Sequence, residues 1–147
     1  MAHPVTWFQI SGRDGSRLQS FYKDVFGWRI KPSADGTMGM VSPDKPGGIA
    51  GGVGASQNGN PSVAIYVNVK DLNAHLQKIE GAGGRMTMPP MDLPAGMGAI
   101  AGFSDPEGNW IGIWQPPTPK KAVKRAAARK SAKKPAVKAK RKAGKRR

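Results

Sequence analysis

The side chains able to do chemistry are few in this chain, and their spacing constrains them further. There is no cysteine, so thiolate catalysis, a disulfide framework and Cys-ligated zinc are all excluded. The two histidines, His3 and His75, are far apart in sequence. His75 falls near the edge of a helical apolar stripe and His3 near the N-terminus, where no partner is evident. Neither a Ser-His-Asp nor a Cys-His arrangement is expected from them, and no catalytic residue is assigned. Asp105 and Glu107 are close enough to pair as acid and base. They sit, however, in Asp105-Pro106-Glu107-Gly108-Asn109, whose residue types already suit a tight turn. The glycine-rich run from Gly47 to Gly54 lacks a phosphate-binding lysine and does not open a helix. Glycine there is expected to allow a curved strand and close backbone approach.

The elements that must position these residues are legible from periodicity. Val5 to Ile10 reads as a strand. Leu18, Phe21, Tyr22, Val25 and Phe26 then recur at helical spacing, with Asp14 or Ser16 as cap and Gly27 as stop. Short strand signals follow at Trp28 to Ile30, Thr37 to Val41 and Gly47 to Gly54, and Gln57 to Pro61 reads as a connector. The second half repeats this order. It has a strand at Val63 to Val69, a helix from about Asp71 carrying Leu72, Leu76 and Ile79, and strands near 85–88, 97–103 and 110–115. The fold class is therefore α+β. Two βαβββ modules form a curved sheet, with helices outside and a cup inside.

Alternation along the strands sorts the cup. If Trp7 faces inward, so does Gln9, while Phe8 and Ile10 face the helices. Tyr66 and Asn68 share one face of the central strand, and Trp110, Gly112 and Trp114 one face of the last. The candidate ligand-binding set is Trp7, Gln9, Tyr66, Asn68, Trp110 and Trp114, an aromatic wall with a few amides and a hydroxyl. That composition suits a small-molecule pocket.

Two segments resemble the glyoxalase/bleomycin-resistance/extradiol-dioxygenase superfamily, also called vicinal oxygen chelate. They are Phe21-Tyr22-x-x-Val25-Phe26-Gly27-Trp28 after Asp14, and Phe103-x-Asp105-Pro106-Glu107-Gly108-Asn109-x-Ile111-Gly112. The resemblance covers roughly residues 4–116 and implies the double βαβββ fold. It also implies a divalent metal in active members, held by His, Gln or Glu at set strand positions. Those positions carry Trp7, Val63 or Ala64, and Gly112 here, and 47–54 supplies no donor. No cofactor and no metal are therefore expected. The reading leans away from an enzyme and towards a metal-free small-molecule binder that could form a homodimer. An enzyme of glyoxalase, lyase or dioxygenase type is the alternative.

Beyond residue 116 the composition changes. Fifteen of the 24 Lys and Arg lie from Lys120 onward with no acidic residue, and the other nine are matched by nine Asp and Glu in the body. The whole net charge of +15 thus belongs to the tail. With so few apolar residues, segment 117–147 is expected to be disordered, following a domain at 1–116. It resembles the Lys/Ala/Pro tails of linker histones and some bacterial nucleoid proteins. Its cations are Lys120, Lys121, Lys124, Arg125, Arg129, Lys130, Lys133, Lys134, Lys138, Lys140, Arg141, Lys142, Lys145, Arg146 and Arg147. They are expected to bind nucleic acid without reading sequence, because no aromatic stacks and no rigid element enters a groove. A further alternative makes the chain a nucleoid-associated protein whose domain only dimerises or senses a ligand. No membrane span or secretory signal is expected, and a cytoplasmic location fits, with nucleoid association as an option.

Overall fold

A computed structural model describes residues 1–34 and 36–119. The basic residues from Lys120 to Arg147, with the disorder and nucleic-acid contacts expected of them, lie outside the described residues. The element order is β1 (Val5–Gly12), α1 (Gly15–Phe26), β2 (Ile30–Pro32), β3 (Met38–Val41), β4 (Ala50–Ala55), β5 (Ser62–Asn68), α2 (Leu72–Gly81), β6 (Arg85–Asp92), a short 3-10 turn (Pro94–Gly96), β7 (Ala99–Ser104) and β8 (Trp110–Gln115). This is βαβββ twice. The strands form one eight-stranded sheet in the order β2-β3-β4-β1-β5-β8-β7-β6. The modules meet at the antiparallel β1–β5 pair, and each closes by a parallel pairing, β1 with β4 and β5 with β8.

Local chemistry sets the helix ends. The Asp14 carboxylate accepts from Arg17 N, and Gly27 ends α1 in the left-handed region at φ 65°. The Asp71 carboxylate accepts from Ala74 N to start α2, and Gln115 Oε1 accepts from Leu72 N. Trp28 is not in a strand. It stacks on Tyr22 at 5.0 Å and packs against Phe8 at 5.4 Å, covering the first core.

That core comprises Ile30, Val41 and Val53, flanked by Phe8, Ile10, Leu18 and Tyr22. The second comprises Val69, Leu72, Leu76, Ala101 and Ile113, flanked by Val67 and Phe103. Phe8 and Ile10 therefore face α1, and Val67 and Ile113 face α2, as alternation predicts. The glycines of β4 allow close packing: a Cβ on Gly51 would run into the Phe8 ring.

One strand runs further than its sequence suggests. β6 continues through Pro89 and Pro90 to Asp92, shifting register between Met88 and Met91. It lies at the sheet edge, where a missing N–H costs no ladder bond.

Candidate functional site

The face away from the helices carries the side chains assigned to the cup. Trp7 is registered with Ala50 and Gln9 with Gly52. Tyr66 pairs with Gly112 and Asn68 with Trp114 across the parallel β5–β8 contact. Of the two positions at which the resemblance implies one metal ligand, Ala64 shares the Tyr66 face while Val63 points to the helix side and is 73% exposed.

Glycines under aromatic rings shape this wall. Tyr66 lies so closely over Gly112 that a Cβ there would run into its ring, and Trp110 covers Gly102 at 2.5 Å from the site of such a Cβ. Tyr66 and Trp110 then meet edge to face at 5.8 Å. In the first module, Trp7 and Met38 cover Gly52 at 3.2 Å and 3.1 Å. Tyr66 is 9% exposed, and burial pushes its phenol pKa up, so it stays a neutral hydroxyl at physiological pH. Gln9 Nε2 donates to Ser11 Oγ at 3.4 Å, and Trp114 Nε1 donates to the Met97 carbonyl at 2.9 Å. That last bond ties the 93–98 loop to the cup wall and leaves only the Trp114 ring face for a ligand.

The metal that the fold family implies does not fit these residues. The last-strand position is Gly112, and the volume a ligating side chain would need there is filled by Tyr66. The positions on β1 and β5 hold an indole and a methyl group. No three His, Cys, Asp or Glu side chains cluster among the described residues.

Asp105 is occupied by its turn. Its carboxylate accepts from the backbone N–H of Glu107 and of Asn109, both at 2.9 Å, and from Asn109 Nδ2 at 2.8 Å. The Asn109 side chain contributes most to holding its pKa below the ordinary carboxylate value. His3 and His75 differ from expectation. They meet at 3.1 Å between their Nε2 atoms, a contact across 72 positions that no local pattern signals.

One groove among the described residues lies outside the cup. It has a volume of about 810 Å³ and runs beside α1 on the helix face, between Leu18, Phe21, Tyr22 and Val63, with Arg13 and Arg17 at its rim. Phe21, Val25 and Phe26 carry its apolar surface onward and are each more than half exposed.

The double βαβββ fold defines the class. The chain belongs to the Glyoxalase/Bleomycin resistance protein/Dioxygenase superfamily, whose description matches residues 5–113. It is 29% identical over 126 residues to the anthracycline biosynthesis protein DauV of Streptomyces sp. (strain C5), covering 74% of this chain and 46% of that protein. A glyoxylase-like domain-containing protein of Didymella fabae is 28% identical over 116 residues, covering 71% and 88% respectively. The crystal structure of a superfamily member from Vibrio splendidus 12B01 superposes with a TM-score of 0.54 at 18% identity, covering 78% of this chain and 99% of that one. The chain spans about half the length of the anthracycline biosynthesis proteins it matches.

Proposed function

We propose that the cup binds a flat, largely apolar small molecule without a family-type metal. The observation that carries this reading is the exchange at Gly112, where an aromatic ring takes the place of a metal-ligating side chain. Trp7, Tyr66, Trp110 and Trp114 offer ring faces, and Gln9, Asn68 and the neutral Tyr66 hydroxyl offer directional polar contacts. The likeness to anthracycline biosynthesis proteins supports the same class, since an anthracycline is a fused-ring molecule. We assign the groove beside α1 to a second copy of the chain instead. Its lining is continuous with the exposed apolar face of α1, and such patches on soluble domains mark contact surfaces.

Titration with the fused-ring probe daunorubicin, followed by indole fluorescence, tests the cup. Trp110→Ala is expected to weaken binding at least tenfold, and Phe26→Ser to leave it within twofold. Equal effects of the two substitutions, or no binding to the intact chain, would overturn the assignment. Ligand recovered with the purified protein and identified by mass spectrometry would name the natural occupant.

The second part of the proposal concerns the segment after the 1–116 domain. Its 15 cations and absence of acids suit sequence-independent binding to nucleic acid. If about eight of them engage duplex DNA, log K falls with log[salt] at a slope near about −7. A chain ending at Pro119 is expected to lose this binding in a gel-shift titration; unchanged affinity would sink the idea.

A further inference from the structure

Apart from the cup, the fold brings both imidazoles of the chain to one point beside the start of α2. Asn68 N donates to Pro4 O at 2.9 Å, which continues the β1–β5 pairing beyond Val5 and lays His3 against the start of α2. Asp71 caps that helix, and His75 stands one turn further on. The two rings are perpendicular, with centroids 4.6 Å apart and Nε2 atoms 3.1 Å apart.

The other nitrogen of each ring decides what this contact means. His3 Nδ1 lies 3.1 Å from the Asn68 carbonyl oxygen, and His75 Nδ1 lies 2.8 Å from the Asp71 carbonyl oxygen. A carbonyl can only accept, so each Nδ1 carries a proton, and in the neutral rings each Nε2 keeps its lone pair. Two such lone pairs at this distance need a cation between them, either a proton, as in an Nε2–Nε2 hydrogen bond, or a metal ion. A ring N–H donated to a backbone carbonyl is also the outer arrangement that orients histidines bound to metals.

We propose that His3 and His75 form a two-histidine site for a borderline divalent transition metal, zinc being the probe of choice. Imidazole suits zinc, copper and nickel rather than magnesium or calcium. Two nitrogens held at the usual zinc distance and a tetrahedral angle are about 3.3 Å apart, close to the observed separation. Two neutral ligands leave the remaining positions to water, so the ion is exchangeable. Its structural effect is to clamp the segment before β1 onto α2. The site is separate from the cup and does not depend on what the cup binds.

Calorimetric titration of tag-free, metal-stripped full-length protein with zinc tests the proposal. One ion per chain is expected. His3→Ala and His75→Ala should each weaken binding at least tenfold, and the double variant should be no weaker than either, because one imidazole alone does not chelate. Zinc should also raise the thermal midpoint of the intact chain and leave both variants unmoved. In the unaltered protein, the Nε2 resonances of both histidines should shift together on zinc addition, a readout that needs no variant. Zinc binding that survives either substitution, a shift of only one ring, or no binding at one equivalent would each overturn the proposal. Metal retained in the double variant would instead point to a cup site and count against the metal-free reading above.

Discussion

The two βαβββ modules share an order of elements but divide their burial differently. α2 carries Leu72, Leu76 and Ile79 and buries the first two against Ala101 and Ile113. α1 carries Leu18, Phe21, Tyr22, Val25 and Phe26, a longer stripe, and buries none of them fully. Only Leu18 and Tyr22 pack on the first core, while Phe21, Val25 and Phe26 stay open. The cup shows a related asymmetry. Its second wall is rigid, with Tyr66 and Trp110 lying over Gly112 and Gly102, whereas the first sets the flexible Met38 beside Trp7 over Gly52. An amphipathic stripe therefore tells which face of a helix is apolar without telling what covers it. The uncovered stripe is where an additional chain has most to gain by docking.

The contrast between the helices is the easiest to break. Leu76→Ala should cost about 2–5 kcal/mol in denaturant unfolding, since it empties a closed core. Leu18→Ala, at a half-buried position on α1, should cost about half as much. Equal losses would show that α1 is covered as fully as α2 in solution.

The cup walls offer a second, smaller effect. Gly112→Ala should destabilise by about 1–3 kcal/mol, because its methyl group drives into the Tyr66 ring. In a Tyr66→Ala background most of that cost should vanish, which a double-mutant cycle on chemical unfolding would measure. Gly52→Ala meets Met38 at 3.1 Å and the Trp7 ring at 3.2 Å, a looser fit than at Gly112, and should cost less than half as much.

At the exposed stripe, Phe26→Ser loses ring contacts with Tyr22 at 6.1 Å and Trp28 at 5.8 Å and should cost about 1 kcal/mol in the unfolding of dilute chains. Sedimentation at high concentration should also show a smaller dimer fraction than the unaltered chain. Unchanged association would remove α1 from the interface.

The turns that precede the closing strands differ in how they use a carboxylate. In the second module Asp105 gathers three N–H donors, with Asn109 the main cause of its lowered pKa. In the first, Asp44 meets Arg29 in an exposed ion pair. A carboxylate whose folded pKa is depressed stabilises fully above its unfolded value of about 3.9, and that contribution is lost as pH falls through the folded value. The thermal midpoint of the unaltered chain should therefore exceed that of Asp105→Asn at pH 6, and the gap should close towards pH 3. Asp44→Asn should change stability by only about 0–1 kcal/mol at either pH.

Much of the positioning scaffold is legible in the sequence because it is decided within a few residues. Asp14 and Gly27 bound α1 by a cap and a left-handed stop. Alternation in β1, β5 and β8 sorts Trp7, Tyr66 and Trp110 from Phe8, Val67 and Ile113. The absence of donors at Trp7, Ala64 and Gly112 can be read without coordinates, and so can the placement of all net charge in the tail. β6 is less legible. Pro89 and Pro90 argue against a strand until the sheet order shows it to be an edge.

What only the tertiary structure decided are the meetings between residues far apart in the chain. The sheet order brings β5 beside both β1 and β8, and so lays Tyr66 over Gly112 and turns a missing ligand into a filled volume. The same β1–β5 pairing carries His3 to His75 and turns each Nδ1 towards a backbone carbonyl. Periodicity and capping act over one or two turns of chain, and they dictated the elements and their faces. Which faces touch depends on strand order and on what remains uncovered, and no local pattern encodes either.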